Sequence, residues 1–389
     1  MEKKKILILH TKYRTTGGED IAVDNEAKSL EKVFDVETLY FSNQEIDSYI
    51  KQIKYFLFNN NPEINEKLIS KINEFRPDLI YVHNTWFKAS LGVFKIINSY
   101  NLRSLVKLHN FRFDCGRYLF KSKHLKNHIV CPACGFSNKD TILLNKYFQD
   151  SYFKSILLII YSKKYYKILK KSKLVTLTIF QKDFLVDNGF KSENINVLHN
   201  PLLIDDKLES SSFNFEPKSY IIYAGLISSE KGVGVLIDTF KMVSNLEKKL
   251  LIVGDGPLLK KLKEDNKNNK NIIFLGRLEN DEVIALIKNS FSVVSNTSLY
   301  EGQPTLLTEA SLLNVNSVYP NSGGISEFFP KDNPFEFKSG DNLDLLKKLK
   351  LLRHDEIVCD QANKNFEFSE KKLNLNEYIS NFTKLVDEK

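Results

Sequence analysis

The amino-acid sequence predicts an α/β protein made of two doubly wound domains in tandem. The chain has 389 residues, and at about 150 residues per domain this length gives two or three domains. Short apolar strands alternate with amphipathic helical segments, as in parallel sheets that carry helices on both faces. This alternation runs twice, and a polar, serine-rich segment separates the two runs.

Composition and apolar runs exclude several other classes. Hydrophobic residues make up 42% of the chain and charged residues 27%, which is close to globular averages and excludes wholesale disorder. The first apolar run, residues 6–9, is too short for a signal peptide. No run approaches the roughly 20 residues that cross a bilayer. We therefore expect a cytoplasmic protein, either free or peripherally bound to the inner face of the cell membrane.

The first half, residues 1–201, is predicted to form one domain. Its helical segment GEDIAVDNEAKSLEKVF follows the first of six strands: KKILILH, VETLYF, PDLIYVHN, SLVKLHN, KLVTLTI and INVLHNP. Parallel strands end at a common edge, where ligands bind in such sheets. This places four histidines on one edge: His10, His83, His109 and His199.

The second half restarts the pattern after a predicted linker, residues 202–218. A second domain is expected over residues 219–372, and residues 373–389 form a final helix. The predicted strands of this domain are SYIIYAG, KKLLIVGDG, NIIFLGR, FSVVSN and NSVYPN. The final helix either closes this domain or packs elsewhere.

The most informative motif is SLYEGQPTLLTEASLLNVNSVYPNSGGISEF. Residues 302–304 are expected to form a turn, and a helix begins at Thr305. The backbone N–H groups at its beginning, from Gln303, Thr305 and Leu306, would point toward an anion. Glu309, one turn into the helix, suits hydrogen bonding to a vicinal diol such as a ribose. The alternative is a surface helix on which Glu301 and Glu309 are simply solvated.

Four further motifs accompany this one. They are AGLISSEKGVGVLI with Lys231, LLIVGDGP with Asp255, VLHNPL, and VYPNSGGISEF with Gly323 and Gly324. In this order, the set resembles the retaining glycosyltransferases of family four, which have the GT-B fold, and the resemblance covers nearly the whole chain. The N-terminal GGED-x-x-V-x-x-E pattern is similar to a subgroup that acts in bacterial surface-polysaccharide assembly.

The resemblance implies a fold and a reaction. The fold is α/β with two Rossmann-like domains facing across a cleft, and the C-terminal helix packs back on the first domain. The enzyme would transfer a hexose, with retention, from a nucleoside diphosphate sugar to a glycan acceptor, here one linked to a polyisoprenyl lipid. In the alternative readings, the chain is a nucleotide-sugar 2-epimerase of the same fold or a non-enzymatic binder of anions or nucleic acid.

The resemblance also implies roles for individual residues. His109 contacts the transferred sugar, Glu301 positions sugar hydroxyls and Lys231 stabilises the leaving diphosphate; these three form the catalytic set. The loop with Gly17 and Gly18 lies near the donor, where glycine permits close approach and positive φ. The full donor-binding set is Gly17, Gly18, Lys231, Gly302, Gln303, Pro304, Thr305, Leu306 and Glu309.

One position departs from the family pattern. Leu226 stands where these enzymes usually carry an arginine that assists the lysine at the diphosphate. A lone lysine gives a point charge instead of a bidentate fork. The diphosphate would then rely on Lys231, on backbone N–H groups and on another arginine, such as Arg277 or Arg14.

The cysteines form a second constellation. Cys131 and Cys134 lie in a C-P-A-C turn that can present two thiolates to one metal. Cys115 and a histidine, His128 or His124, would complete a structural zinc site, and we favour His128. Unligated thiols are the alternative. This predicted insertion covers about residues 110–140, and the resembled subgroup has a related one. No metal or other cofactor is expected in the chemistry.

Basic residues concentrate in one region. The net charge is +8, yet residues 101–173 carry sixteen Lys and Arg against three Asp, so the rest of the chain is net acidic. Within this region, residues 147–173 predict a helix with a basic face and an aromatic face, suited to an anionic membrane surface. In the alternative, the aromatic residues pack into the core. No signature of a nucleic-acid-binding module appears, so no nucleic-acid partner is expected.

Overall fold

The computed structural model describes residues 3–13, 17–44, 49–137, 143–148, 151–204 and 213–388. The chain divides into two compact units. The first unit contains Met1–Leu202 and Leu375–Lys389, and the second contains Leu203–Asn374. The predicted linker begins at this boundary, although residues 205–212 within it lie outside the described residues.

The described secondary structure alternates strands and helices along both units. The strands are β1 Lys5–Lys12, β2 Asp35–Ser42, β3 Leu79–Val82, β4 Arg103–Leu108, β5 Lys173–Thr176, β6 Ile195–Val197, β7 Tyr220–Ala224, β8 Lys249–Val253, β9 Ile272–Gly276, β10 Ser292–Val294, β11 Asn316–Pro320 and β12 Glu336–Phe337. The helices are α1 Gly18–Leu30, α2 Tyr49–Phe58, α3 Pro62–Phe75, α4 Gly92–Ser99, α5 Arg112–Cys115, α6 Lys121–Leu125, α7 Tyr152–Leu169, α8 Ile179–Asp187, α9 Val233–Lys241, α10 Leu259–Asp265, α11 Asn280–Asn289, α12 Thr305–Leu312, α13 Asn342–Leu351, α14 Asp355–Lys372 and α15 Leu375–Asp387.

The first unit is built on a six-stranded parallel sheet in the order β2-β1-β3-β4-β5-β6. Successive side chains of β1 point to opposite faces, and both faces are buried. Leu7 and Leu9 join one hydrophobic cluster, whereas Ile6 and Ile8 join another. Burial on both faces explains why these strands read as continuous apolar runs in the sequence.

The C-terminal helix α15 packs within the first unit, although it follows the second unit in the chain. Tyr378 and Phe382 join the same cluster as Ile6 and Ile8, and the rings of Phe382 and Phe34 lie 5.7 Å apart. The Tyr378 hydroxyl donates a hydrogen bond to Oε1 of Glu26 at 2.7 Å. The helix thereby covers one face of the sheet and adds a polar contact to its interior.

The second unit contains a second six-stranded sheet in the order β12-β11-β10-β7-β8-β9, again with parallel neighbours. One face carries a cluster around Leu236 and Ile252, and the other carries a cluster around Leu307 and Tyr319. The predicted α/β class, with two doubly wound parallel sheets, is therefore confirmed.

Helix α7 packs differently from its predicted amphipathic role. Only 3% of Tyr161 is exposed, and its hydroxyl lies 3.4 Å from Oγ1 of Thr85. Tyr166 donates to the backbone oxygen of Asn188 at 2.6 Å. The prediction of an aromatic face available to a membrane is wrong for Tyr161, which is buried in the core of the first unit, and Tyr165 and Tyr166 pack against that core as partly buried residues.

A different stripe of α7 faces outward. Its exposed residues recur at helical spacing, first apolar and then basic: Phe153, Ile156, Ile160, Lys163, Lys164 and Lys167. Within the described part of the chain, none of the helices combines the length and the apolar character needed to cross a membrane.

Candidate active site

A buried His–Asp pair fixes the loop that follows β1. His10 is fully buried, and its Nε2 lies 2.8 Å from Oδ1 of Asp20 in the first turn of α1. The backbone N–H of Gly17 donates to Oδ2 of the same carboxylate at 2.9 Å. Burial alone would raise the pKa of Asp20, but the hydrogen bonds from His10 and Gly17 outweigh it and lower that pKa. Asp20 is thus ionised and joins the two ends of the loop.

The glycines of this loop behave differently from the prediction. Gly17 caps α1 with φ −127° and ψ 178°, an extended conformation open to any residue, and Gly18 is the first helical residue. Neither has a positive φ, so that expectation is wrong. A Cβ placed on Gly17 would have no other atom within 4 Å, so the backbone there borders open space.

Two of the predicted edge histidines form a pair. His83 follows β3 and His109 follows β4, and Nδ1 of His83 lies 2.9 Å from Nε2 of His109. Burial, reinforced by the charge of Lys107, lowers the pKa of His83. Burial and then His83 lower the pKa of His109. Both rings are therefore neutral at pH 7 and share one N–H. Of the other two predicted edge histidines, His10 is paired with Asp20, and His199 donates from Nδ1 to the backbone oxygen of Leu177 at 2.6 Å.

A buried charge network lies beneath the histidine pair. Glu26 is fully buried, and its Oε1 accepts hydrogen bonds from Nζ of Lys107 at 2.7 Å, the Tyr378 hydroxyl at 2.7 Å and the Tyr81 hydroxyl at 3.3 Å. Its Oε2 lies 3.7 Å from Nδ1 of His83. Burial lowers the pKa of Lys107, and the ion pair with Glu26 opposes this effect. Each charge is tolerated because the other compensates it.

Sequence reasoning assigned no role to this network, although two signals for it were present. Glu26 lies three residues after Val23 and four before Leu30, on the buried side of α1. Lys107 interrupts the apolar run of β4. A carboxylate on the apolar face of a helix and an ammonium inside a buried strand would each be costly alone, so their pairing is the simplest explanation.

In the second unit, Lys231 and Glu301 form an ion pair. Lys231 precedes α9, and Glu301 lies between β10 and α12. Their side chains are 29% and 24% exposed, so the pair remains open to solvent on one side. Glu301 also bridges Gly323 in the parallel sense, and its backbone oxygen accepts from the N–H of Gly324 at 2.8 Å. Loops that follow β7, β10 and β11 therefore meet at this pair.

Glycines make this meeting of loops possible. Gly232 has φ +65°, and a Cβ there would lie 2.2 Å from the backbone oxygen of Asn296. Gly323 has φ +64°, and its Cβ would lie 2.6 Å from both backbone N and O of Glu301. Any side chain would push the loops apart, so the glycines hold Lys231 and Glu301 at their observed spacing.

The predicted turn and helix after Glu301 are also present. Residues 302–304 are buried, and α12 begins at Thr305 with Pro304 as its N-cap. No side chain caps this end, so the first-turn N–H groups of Thr305 and Leu306 are of the kind that a helix leaves for a ligand. Glu309 is half-buried one turn further on, and burial raises its pKa to about 8.

The structure also shows the position of Leu226, the residue that departs from the family pattern. Leu226 follows β7 and is 49% exposed, so it fills no part of the core. Arg277, one candidate for the missing arginine, follows β9 and is exposed. Arg14, the other candidate, lies outside the described residues. Among the described residues, Lys231 is the cation paired with Glu301.

Two groups of potential metal ligands occur among the described residues. Cys115, His124, Cys131 and Cys134 have ligand atoms that all lie within 4.8 Å of one another. The prediction of His128 as the fourth member is wrong, and His124 takes its place. His124 lies on the buried side of α6, whereas His128 lies beyond the left-handed Lys126 and is exposed. In the second group, Glu26, His83 and His109, the Lys107 ammonium already occupies the cation position beside Glu26.

Comparison with known families identifies part of the chain. Residues 205–367 match the family described as "Glycosyl transferases group 1". The curated amylovoran biosynthesis glycosyltransferase AmsD of Erwinia amylovora is 32% identical over 145 residues. That alignment covers 36% of this chain and 40% of the length of AmsD.

Solved structures resemble the chain over nearly its full length. Anabaena Alr3699/HepE in complex with UDP and glucose superposes with a TM-score of 0.70 at 15% identity and covers 99% of both chains. The sucrose-phosphate synthase of Thermosynechococcus elongatus gives a TM-score of 0.70 at 12% identity and covers 98% of both chains. At such identities the likeness concerns the fold. The second unit thus carries a glycosyltransferase group 1 domain, and the chain has the α/β fold of GT-B glycosyltransferases.

Proposed function

We propose that this protein is a retaining hexosyltransferase of family four that uses a nucleoside diphosphate sugar in cell-surface polysaccharide biosynthesis. The observation that carries the proposal is the Lys231–Glu301 ion pair in the group 1 domain, with α12 beginning four residues after Glu301. The geometry offers a cation, a helix N-terminus and a carboxylate, which suit a diphosphate attached to a sugar.

The leaving diphosphate is assigned to Lys231 and the beginning of α12. The Lys231 ammonium would neutralise phosphate charge as it develops, and the first-turn N–H groups of α12 add the positive end of the helix dipole. Glu301 then turns from its lysine partner toward sugar hydroxyls, together with the backbone N–H groups of residues 302, 303 and 305. The ion pair holds Lys231 and Glu301 next to each other, which supports their assignment to one donor.

The ribose is assigned to Glu309. A carboxylate accepts hydrogen bonds from two vicinal hydroxyls, and each hydrogen bond to a charged group contributes about 1.5–3 kcal/mol. The half-buried position of Glu309, one turn into α12, keeps it on the helix that would hold the diphosphate.

Retention is proposed to proceed by attack on the same face as the departing phosphate. The bond from the anomeric carbon to the phosphate oxygen breaks, the acceptor oxygen bonds to that carbon, and its proton passes to the departing phosphate oxygen. Glu26, which has a carboxylate oxygen within 4.8 Å of a ring nitrogen of His109, is unsuited to act as a nucleophile because Lys107 and two tyrosines engage it. His109 is neutral and keeps Nδ1 outside its bond to His83, so it can hydrogen-bond the transferred sugar.

A uridine nucleotide is the first donor to test. The comparison protein HepE was crystallised with UDP and with UDP-glucose, and AmsD is a glycosyltransferase of amylovoran biosynthesis. We propose a growing glycan linked to a polyisoprenyl lipid as the acceptor. The exposed apolar and basic stripe of α7 supports peripheral contact with the anionic inner face of the cell membrane, where such an acceptor resides.

The test measures UDP release from UDP-hexoses, with and without a lipid-linked glycan acceptor. We expect release that depends on the acceptor, and a product whose new linkage keeps the anomeric configuration of the donor by NMR. Conversion of the donor without any acceptor would instead identify a 2-epimerase, and an inverted linkage would overturn retention. If no nucleoside diphosphate sugar changes the melting temperature in a binding panel, the assignment of the donor site is wrong.

A further inference from the structure

The cluster formed by Cys115, His124, Cys131 and Cys134 has the dimensions of a tetrahedral metal site. The sulfur atoms of Cys115 and Cys131 lie 3.6 Å apart, and Nε2 of His124 lies 3.1 Å from the sulfur of Cys134. With Zn–S bonds of about 2.3 Å, tetrahedral geometry puts two thiolates about 3.8 Å apart. A small movement of the side chains therefore brings all four ligand atoms onto one ion.

The local backbone presents these ligands in a fixed arrangement. The N–H of Gly135 donates to the backbone oxygen of Cys131 at 2.8 Å, and the N–H of Cys131 donates to the backbone oxygen of Phe136 at 2.7 Å. Gly135 has φ +77°, which closes the turn. Such a turn points two thiols of a C-x-x-C sequence to the same side.

Burial argues for a structural role. Cys115 is 2% exposed, His124 2% and Cys131 4%. The His124 ring stacks on Phe136 with a centroid distance of 4.8 Å and meets the edge of Tyr147 at 5.1 Å. Three of the four ligands are thus enclosed, and Cys134 is half-buried. Four protein ligands leave no position open for a substrate, as in structural zinc sites.

An outer partner is also in place. Nδ1 of His124 lies 2.8 Å from the side-chain nitrogen of Asn145, and Oδ1 of Asn145 is buried without a hydrogen-bond partner among the described residues. A histidine that binds metal through Nε2 carries its proton on Nδ1. If the Asn145 amide flips, its Oδ1 accepts that proton. The flip costs the 3.2 Å hydrogen bond that the Asn145 side-chain nitrogen donates to the backbone oxygen of Tyr118. Zinc-bound histidines commonly have such a partner.

A disulfide does not account for this geometry. The 3.6 Å between the sulfur atoms of Cys115 and Cys131 far exceeds a disulfide bond of about 2.0 Å. All four cysteines of the chain are free thiols in the structure. A disulfide would also leave Cys134 and His124 without a common function, although they lie beside the same two sulfurs.

We propose that Cys115, His124, Cys131 and Cys134 bind one structural Zn²⁺. Three thiolates and a neutral imidazole leave the complex with one net negative charge. Cys115 ends α5, which begins three residues after His109. The ion would therefore connect the insertion to α5, the helix that follows His109.

The test is the zinc content of the purified full-length protein, measured by mass spectrometry. We expect about one zinc per chain. Cys131→Ser and His124→Asn should each lower this content at least severalfold. The matched controls, Cys359→Ser and His128→Asn, change an exposed cysteine and an exposed histidine outside the cluster and should retain the zinc.

A second measurement covers variants that fail to fold. Titration of the metal-stripped wild-type protein with Co²⁺ should give the intense visible absorption of a tetrahedral cobalt–thiolate complex, and zinc should displace it. A protein that contains no zinc and binds neither ion overturns the proposal, as does a stoichiometric disulfide or a different metal. Equal zinc loss in the controls and the cluster variants also overturns it. None of these readouts depends on donor binding or turnover.

Discussion

The two units hold their proposed site residues by different means. In the second unit, the pair of Lys231 and Glu301 is set by short loops that pack closely through Gly232 and Gly323. In the first unit, the pair of His83 and His109 rests on a buried ion pair whose partners come from distant parts of the chain. One site depends on backbone shape, and the other depends on charge compensation.

This difference separates the consequences of mutation. A substitution at Lys231 removes a partly exposed charge and leaves the backbone intact, so it should affect turnover before stability. A substitution at Glu26 leaves Lys107 without its partner in the interior, so it should affect stability first. The comparison is therefore testable by measuring both quantities for each variant.

The largest effect is expected from Glu26→Gln. The change keeps the shape of the side chain but leaves the Lys107 ammonium buried without a counter-charge, which costs about 3–5 kcal/mol of the free energy of unfolding. Urea denaturation followed by circular dichroism measures this loss. Glu31→Gln, at an exposed position just after α1, is the control and should change stability little.

The double variant Glu26→Gln/Lys107→Met sharpens the test. It removes both charges, so it should recover part of the stability lost in Glu26→Gln. If the single variant is as stable as the control, the buried ion pair does not support the first unit in the manner described.

This contrast also explains what could be predicted from sequence. The two sheets were predictable because parallel strands buried on both faces leave continuous apolar runs, as in β1 and β8. The turn and helix after Glu301 were predictable because the motif is local. The partnership of Glu26, Lys107 and Tyr378 joins residues up to 352 positions apart, and no local pattern records it.

Two predictions failed because helical faces were assigned without knowing their neighbours. Spacing alone allowed either His124 or His128 beside the cysteines, and the choice of His128 failed because the left-handed Lys126 separates it from the buried side of α6. The aromatic residues of α7 fitted a membrane surface as well as a core, and contacts such as Tyr161 with Thr85 decide for the core.

The second prediction concerns Lys231→Ala. Removing a cation that stabilises a leaving group lowers turnover by about 10²–10³-fold. The free energy of unfolding should change little, because the lysine is partly exposed. Steady-state kinetics measures the effect and compares it with that of Arg277→Ala, which removes the exposed arginine that is the alternative candidate for the diphosphate. Equal, small effects of both variants would mean that the diphosphate binds elsewhere.

The third prediction is a pH dependence of donor affinity. Burial raises the pKa of Glu309 to about 8, so its carboxyl is protonated below that pH in the free protein. Ribose hydroxyls favour the carboxylate, and binding must then release the proton. Affinity for a nucleoside diphosphate sugar should be full above pH 8 and weaken toward pH 6. The loss approaches tenfold for each pH unit, which corresponds to about 1.4 kcal/mol of binding free energy.

Calorimetry of wild type and Glu309→Gln decides this point. The variant should bind more weakly at pH 8.5 and show a flat profile. A wild-type affinity that does not change with pH would contradict the assignment of the ribose to Glu309.

The smallest effect per residue is expected at the exposed stripe of α7, where the first unit would meet a membrane. Each lysine near an anionic leaflet contributes about 1 kcal/mol, and salt screens this attraction. Phe153, Ile156 and Ile160 continue the stripe with apolar contact area. The wild-type protein should therefore co-sediment at low salt with vesicles that contain phosphatidylglycerol, and glutamate at Lys163, Lys164 and Lys167 should release it.

The matched control places the same charge change at Lys260, Lys261 and Lys263, which are exposed on α10 of the second unit. If both triple variants reduce binding equally, net charge governs the attraction and α7 has no special part in it. If the wild type stays in the supernatant, the lysines of α7 are only a solvated face, and the membrane contact has to be abandoned.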